Sequence, residues 1–559
     1  MKKITLLVLI ASAFTACNTK SKNRFDTVIR NGTIYDGNGG DPYKADIAIN
    51  ADTIAFIGDL KEITAKNEID AKGKAIAPGF INMLSWANKS LIEDGNSQSD
   101  IRQGVTMEVM GEGTSMGPLN AYMKAGMQNG QTDIKYKVAW NTLGEYLTFL
   151  EKKGVSCNIA SFIGAGTIRE YVVGLDNRVA TAAELDSMQL LVKQAMEEGA
   201  MGIGSSLIYP PDNFANTHEL ITICKEASKY GGMYISHMRS EGNKLNEAVD
   251  ELITIAKEAN IPAEIYHLKA GGKSNWMKMD AVIKQVEDAR AAGLHITADM
   301  YTYVAGATGL TASFPPTLQD GGFDKLWHRL QDPAIRAQMK IAMNTDAKDW
   351  ENLYYGAGSP DKVLLLAFKQ DSLKKYTGKT LAEVAAIRET LPEETAMDLI
   401  VQDSTRIGAA FFLMNEENVK KQLALPWVSF GSDAGSYAPE GVFLQSNPHP
   451  RAYGNFIRVI GHYSRDEKIL PLQQAIYKLS KLPATNLKLQ KRGELKTGYY
   501  ADVVIFDANT VTDHATFDKP HQYATGVEDV FVNGIQVLKN GTHTNTKPGR
   551  FIKGPGYRK

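Results

Sequence analysis

An α/β fold, a (β/α)₈ barrel with a small β-sandwich domain built from both chain ends, is what this sequence predicts. Eight strand-like apolar runs occupy the middle of the chain, ending near Leu84, Gly111, Gly164, Ser205, His237, His267, Tyr301 and Asp433. Helical patterns separate most of them, and β alternating with α eight times is the mark of a closed barrel. Residues 26–77 and the far end share another style, short strands broken by turns. Two of the eight runs also end in histidine, at the C-terminal strand ends where α/β enzymes build their sites. A doubly wound open sheet is the competing architecture.

Taken in order, the chain opens on Met1-Lys2-Lys3 and an apolar stretch from Ile4 to Phe14, too short to span a bilayer as a lasting helix. It ends in Phe14-Thr-Ala-Cys17, which resembles a bacterial lipoprotein signal. Residues 1–17 are thus expected to be removed up to Cys17, the lipidated first residue of the mature chain. Residues 18–25 would be a polar tether, and the protein would sit in the bacterial cell envelope. An ordinary signal peptide with an incidental cysteine is the alternative.

The small domain is expected from 26–77 plus 490–559. Thr27-Val-Ile-Arg, Asn31-Gly32 and Thr33-Ile-Tyr read as a hairpin, since Asn-Gly between apolar runs favours a tight turn. Ala501-Asp-Val-Val-Ile-Phe-Asp507 and Val530-Phe-Val-Asn533-Gly534-Ile-Gln-Val repeat the style.

The barrel is expected over 78–489. Its clearest helix runs from Thr181 to Glu198, with a Thr181…Glu184 capping box and an apolar stripe of Leu185, Met188, Val192 and Ala195. The stretch at about 305–425, between strands seven and eight, exceeds one crossover and reads as a lid or wall over the barrel mouth. Cys157 and Cys224 suggest no disulfide and read as buried small hydrophobes. With 62 basic and 63 acidic residues in 559, the charge balance implies no nucleic-acid partner.

The chemistry gathers at the strand ends. Met233-Tyr-Ile-Ser-His237 and Ala263-Glu-Ile-Tyr-His267 bring two imidazoles to adjacent strands, and Trp427-Val-Ser-Phe-Gly-Ser-Asp433 adds a carboxylate. Two histidines and a carboxylate can hold zinc and supply the base beside it. The plainer readings are a pair of core histidines and an aspartate that caps a following helix.

Seven stretches in order carry a family resemblance: Ala77-Pro-Gly-Phe-Ile, His237-Met-Arg-Ser-Glu-Gly, His267-Leu-Lys-Ala, Tyr301-Thr-Tyr-Val-Ala, Gly431-Ser-Asp, His449-Pro-Arg-Ala-Tyr-Gly-Asn-Phe and Gly498-Tyr-Tyr-Ala-Asp. On them the chain resembles the N-acyl-D-amino-acid deacylases (D-aminoacylases) of the amidohydrolase superfamily. The resemblance implies His237 and His267 as metal ligands and Asp433 as the group that moves the proton. It implies Tyr301 against the scissile carbonyl, with Lys269 and Arg451 on the substrate α-carboxylate. Ala307 stands where a serine is expected nearby.

Two departures matter. Leu84 and Trp86 replace the usual first-strand His-x-His, and Gly113 stands where the deacylases place a cysteine. Strand four ends in Ser205-Ser206, without the bridging lysine of binuclear relatives. Glu112, in a glycine-flanked loop, is therefore the candidate third ligand, against a loop carboxylate paired with a basic residue such as Arg239, with Asp433 as the other source of the missing oxygen. These losses lead to the expectation of one zinc ion per chain. The expected activity is hydrolysis of linear N-acyl-D-amino acids, small molecules, with membrane contact only through the lipid. A catalytically silent binding protein and a hydrolase of cyclic amides or dipeptides are the alternatives.

Overall fold

A computed structural model describes residues 24–558; the leader, Cys17 and the tether before Arg24 lie outside them. The barrel strands are β1 (Phe80–Asn82), β2 (Val105–Met110), β3 (Asn158–Ser161, resumed at Ile163–Gly164) and β4 (Gly202–Ser206). They continue with β5 (Met233–His237), β6 (Ala263–Ile265), β7 (Ile296–Met300) and β8 (Val428–Phe430). Successive strands pair in parallel from β1 to β3 and from the end of β3 to β8. The ring closes where the Met83 amide donates to the Phe430 carbonyl at 3.1 Å and Ser85 bridges Ala434. That closure excludes the open sheet.

Alternation along each strand sorts the side chains, because successive residues face opposite ways. Ile81, Met83, Met107, Val109, Phe162, Met233 and Ile235 fill the barrel interior. Ile203, Ala263, Ile265 and Ala298 face outward into the layer packed by the helices. One of those helices, Ala182–Glu198, has the expected capping box and buries Met188, Val192 and Ala195. Such a cap contributes ~1 kcal/mol.

Strands from both chain ends form one mixed sheet beside the barrel. The expected hairpin at Asn31-Gly32 is not there: Phe25–Ile34 is one strand. Asn31 takes a φ of 58°, and the pairing register shifts between Ile29 and Gly32. A bulge uses the same left-handed backbone as a tight turn, so Asn-Gly alone does not separate the two. At Asn533-Gly534 the motif does turn the chain, joining Val527–Val532 to Ile535–Lys539 with Val532 opposite Ile535.

A buried polar knot ties this sheet to the barrel. Asn158 on β3 accepts from Asn533 Nδ2 at 2.8 Å and from the Arg550 amide at 3.1 Å. Asp502 accepts the Asn533 amide at 2.8 Å and pairs with Arg492. Beyond it the chain end runs along β3, with the Ile159 amide donating to Arg550 O at 2.9 Å.

Between β7 and β8 the chain builds a three-stranded antiparallel sheet of Gly306–Gly309, Gly408–Phe411 and Val363–Ala367, with helices around it. It has its own apolar core, including Leu310, Phe314, Leu326 and Phe411. Helix Glu416–Ala424 then returns to the barrel core through Val419 and Leu423. Cys157 and Cys224 are free and buried. Among the described residues no helix is long and apolar enough to cross a membrane.

Candidate active site

A cavity of about 850 Å³ opens over the C-terminal strand ends, roofed by the insertion. The turn after β2 sets its floor. Gly111 and Gly113 take φ values of 107° and 64°, which glycine adopts without strain. A Cβ at Gly111 would lie 2.3 Å from the Phe162 carbonyl oxygen, and one at Gly113 would lie 2.4 Å from Ser206 Cβ. Only glycines allow this path, and it aims Glu112 inward.

Glu112 Oε1 lies 3.0 Å from His237 Nδ1 and 2.9 Å from His267 Nε2. The two rings stand nearly perpendicular, their centroids 4.5 Å apart. His267 holds a φ of 34°, uncommon for a non-glycine residue, and its amide donates to Asp299 Oδ1 at 3.0 Å. The three groups are buried, and one donor atom from each lies within 4.8 Å of the others. Two imidazole nitrogens and a carboxylate oxygen gathered this closely suit zinc. The pairing of Glu112 with Arg239 does not occur, since Arg239 binds Glu251.

Two neighbours of this cluster had no assigned role in the sequence reading. The Trp86 indole donates to Glu112 Oε2 at 2.8 Å and to Asp433 Oδ1 at 3.1 Å, holding two carboxylates apart. Glu241 lies 2.9 Å from His267 Nδ1, 3.6 Å from His237 Nε2 and 2.6 Å from Lys269 Nζ. Glu241 stands four residues after His237, in a stretch already singled out, so its sequence position was the available signal. Nothing in the sequence marked Trp86 as a donor.

Asp433 has a φ of 48° and no helix follows it. Its Oδ2 accepts from Arg451 Nη2 at 2.8 Å. The same Nη2 lies 3.4 Å from the Ala307 carbonyl, while Nε and Nη1 are buried without a partner. Arg451 stacks over Tyr301 with its guanidinium carbon 4.4 Å from the ring centroid, and the Tyr301 hydroxyl is likewise buried without a partner. His449 braces this corner, contacting the Ala305 carbonyl through Nε2 and accepting the Arg451 amide at Nδ1. Lys269, beside Glu241, also lies 2.7 Å from His267 Nδ1.

The electrostatics follow from this crowding. Burial alone would raise Glu112, but His267 and His237 hold it well below the usual carboxylate range. Burial opposes charge on Glu241 too, and Lys269 and the histidines overcome it. Burial lowers His267, and Lys269 adds to that, yet Glu241 and Glu112 raise it overall. Asp433 is raised, chiefly by burial, with Arg451 opposing and Glu112 reinforcing. A carboxyl poised upward beside a cation is suited to taking and returning a proton.

A closed barrel with imidazoles and carboxylates at its mouth defines the class of metal-dependent hydrolases. Residues 67–538 match the amidohydrolase family. The chain is 32% identical over 529 residues to a D-aminoacylase of Alcaligenes xylosoxydans xylosoxydans, covering 94% of this chain and 97% of that one. The chain belongs to the amidohydrolase family, in its D-aminoacylase branch. A solved D-aminoacylase structure, 31% identical, superposes with a TM-score of 0.77 over 95% of this chain and 100% of that one. It is described with a binuclear metal centre, one metal activating and the second attenuating. An N-acyl-D-glutamate deacylase from Bordetella bronchiseptica, solved with zinc and a phosphonate mimic of the tetrahedral intermediate, is 26% identical. Its TM-score is 0.78, over 95% of this chain and 99% of that one.

The expectation of one zinc per chain is corrected by these findings, which point to two metal ions. That expectation rested on the missing first-strand histidines, the cysteine replaced by Gly113 and the missing lysine. It overlooked that Glu112 has a second oxygen, turned toward Asp433 across the Trp86 indole.

Proposed function

We propose that this protein hydrolyses the linear amide bond of N-acyl-D-amino acids, releasing a carboxylate and a D-amino acid in a metal-dependent reaction. The observation that carries the proposal is one cavity holding the Glu112–His237–His267 cluster beside Asp433 and an arginine with two partnerless N–H groups. Glu112, His237 and His267 would hold metal. Bound there, zinc would polarise the amide carbonyl and lower the pKa of water towards ~7.

The chain's own residues divide the remaining work. Arg451 takes the α-carboxylate through Nε and Nη1, because a guanidinium fork meets a carboxylate with two charge-assisted bonds. Lys269 adds positive charge to this end of the cavity. The Tyr301 hydroxyl donates to the carbonyl oxygen as charge builds on it. Asp433 accepts a proton from the attacking water and returns it to the leaving nitrogen. The insertion at about 305–425 serves as a wall that keeps bulk water from the site.

The test is hydrolysis of a panel of N-acetyl D- and L-amino acids by metal-replete protein, followed as free amine. D substrates are expected to be cleaved and their L forms not, with chelation abolishing turnover. Equal rates on both hands, or turnover that survives chelation, would refute the reading.

We further propose that lipid on Cys17 anchors the mature protein to the cell envelope. The charged start, short apolar stretch and Phe14-Thr-Ala-Cys17 support this. Incorporation of a fatty-acid analogue, lost in Cys17→Ser with release of soluble protein, is the expected result.

A further inference from the structure

We infer that this pocket takes a substrate with a second negative charge besides the α-carboxylate, and that Arg406 receives it. The inference rests on the N-acyl-amino-acid reading above and names the substrate class within it.

It begins with the ionic groups lining the cavity. The acids there are already engaged: Glu241 with Lys269, Asp433 with Arg451, Asp133 with Lys374, and Glu112 with the two histidines. Asp212 accepts the Ser206 amide at 2.6 Å, and burial pushes its carboxyl up to about 7. Five basic side chains line the cavity as well, and not all of them are paired. Among the described residues, Lys89, Lys369 and Arg406 line the cavity with no carboxylate partner. A cation facing a half-enclosed pocket without a carboxylate partner is available to select an anion there.

Of the three, Arg406 is the one held in place. Its guanidinium carbon lies 4.8 Å from the Tyr209 ring centroid, and Nη2 donates to Thr308 Oγ1 at 3.1 Å. The Tyr209 ring stands edge-on to His237, centroids 5.2 Å apart. Arg406 is thus one aromatic ring away from the metal-binding cluster, with its remaining N–H groups unclaimed by protein.

The position relative to Arg451 matters as much. Arg451 Nη2 reaches the Ala307 carbonyl and Arg406 Nη2 reaches the Thr308 hydroxyl. Adjacent residues of strand Gly306–Gly309 therefore tether both guanidiniums. With the α-carboxylate on Arg451, a second carboxylate a few bonds away falls to Arg406. An acidic amino-acid side chain and an acidic acyl group both supply that chemistry.

Steady-state kinetics distinguish the sources. N-acetyl-D-glutamate against its neutral isostere N-acetyl-D-glutamine reads charge on the side chain. N-succinyl-D-leucine against N-acetyl-D-leucine reads charge on the acyl group. At least one charged substrate is expected to exceed its neutral partner by roughly tenfold or more in kcat/KM, mainly through KM. Arg406→Gln should bring that ratio towards one, with thermal melting confirming the fold. No charge preference in wild type, or a ratio unchanged in Arg406→Gln, overturns the role of Arg406 while leaving amide hydrolysis standing. No turnover of any N-acyl-D-amino acid by metal-loaded protein overturns both.

Discussion

At the scale of single residues, the proton shuttle and the carboxylate clamp make separable predictions. Asp433→Asn keeps the shape but loses the basic oxygen, so turnover should fall roughly 10²–10⁴-fold. At least one metal per chain should remain by elemental analysis; loss of all metal would make Asp433 a ligand of the Glu112–His237–His267 site. Arg451→Lys keeps the charge and loses the fork. It should cost about 1–3 kcal/mol of transition-state binding, ten- to hundredfold in kcat/KM, on substrates with a free carboxylate. The amides of those substrates should be indifferent to the change. The histidines and Asp433 were legible in the sequence because polar residues closing apolar runs stand out. Trp86 was not, because an indole reads as core until its N–H is seen between two carboxylates. Nor can a sequence say which oxygen of Glu112 faces which neighbour.

Among elements, the insertion is fastened to the barrel through a carboxyl whose protonation matters. Glu351 accepts the Glu241 amide at 2.6 Å, and burial together with the Glu241 charge pushes it up to about 8. An unfolded glutamate titrates near ~4.3. The folded form therefore holds the extra proton between those values. Its stabilisation is complete below the lower one and is lost as pH rises through the upper. Melting temperature, or resistance of the insertion to proteolysis, should fall from pH 5 to 9 in wild type. Glu351→Gln keeps an acceptor oxygen without the titration, so its profile should be flatter; parallel profiles would count against this role. The element pattern itself was readable where periodicity was strong, as in helix Ala182–Glu198 with its capping box. It misled at Asn31-Gly32, where partner strands rather than local chemistry decide between a turn and a bulge.

For the whole molecule, the composite sheet and the barrel are locked through Asn158, Asn533, Asp502 and Arg492. Asn158→Ala removes one of the two acceptors of Asn533 Nδ2, which keeps Pro548 O, and the acceptor of the half-buried Arg550 amide. Leaving a buried N–H unpaired costs about 1–3 kcal/mol, so stability in urea should drop by about that amount. Activity per folded molecule should be retained, since the knot lies on β3 away from the metal cluster. An unchanged urea midpoint would show that water replaces the lost bonds. None of these long-range pairings was legible in the sequence: Asn158 and Asn533 are 375 positions apart. The barrel was legible because each β/α unit carries its own local signal.

The collision between residue 113 and Ser206 also limits what the loop can accept. A side chain placed at Gly113 would enter a backbone with a φ of 64° and meet Ser206 Cβ at 2.4 Å. Trimming Ser206 to glycine would still leave its backbone nitrogen 2.9 Å from the new β-carbon. A cysteine at position 113 would therefore need both a smaller residue at 206 and a rearranged loop. The two positions are thus coupled: neither accepts a larger side chain unless the other gives way.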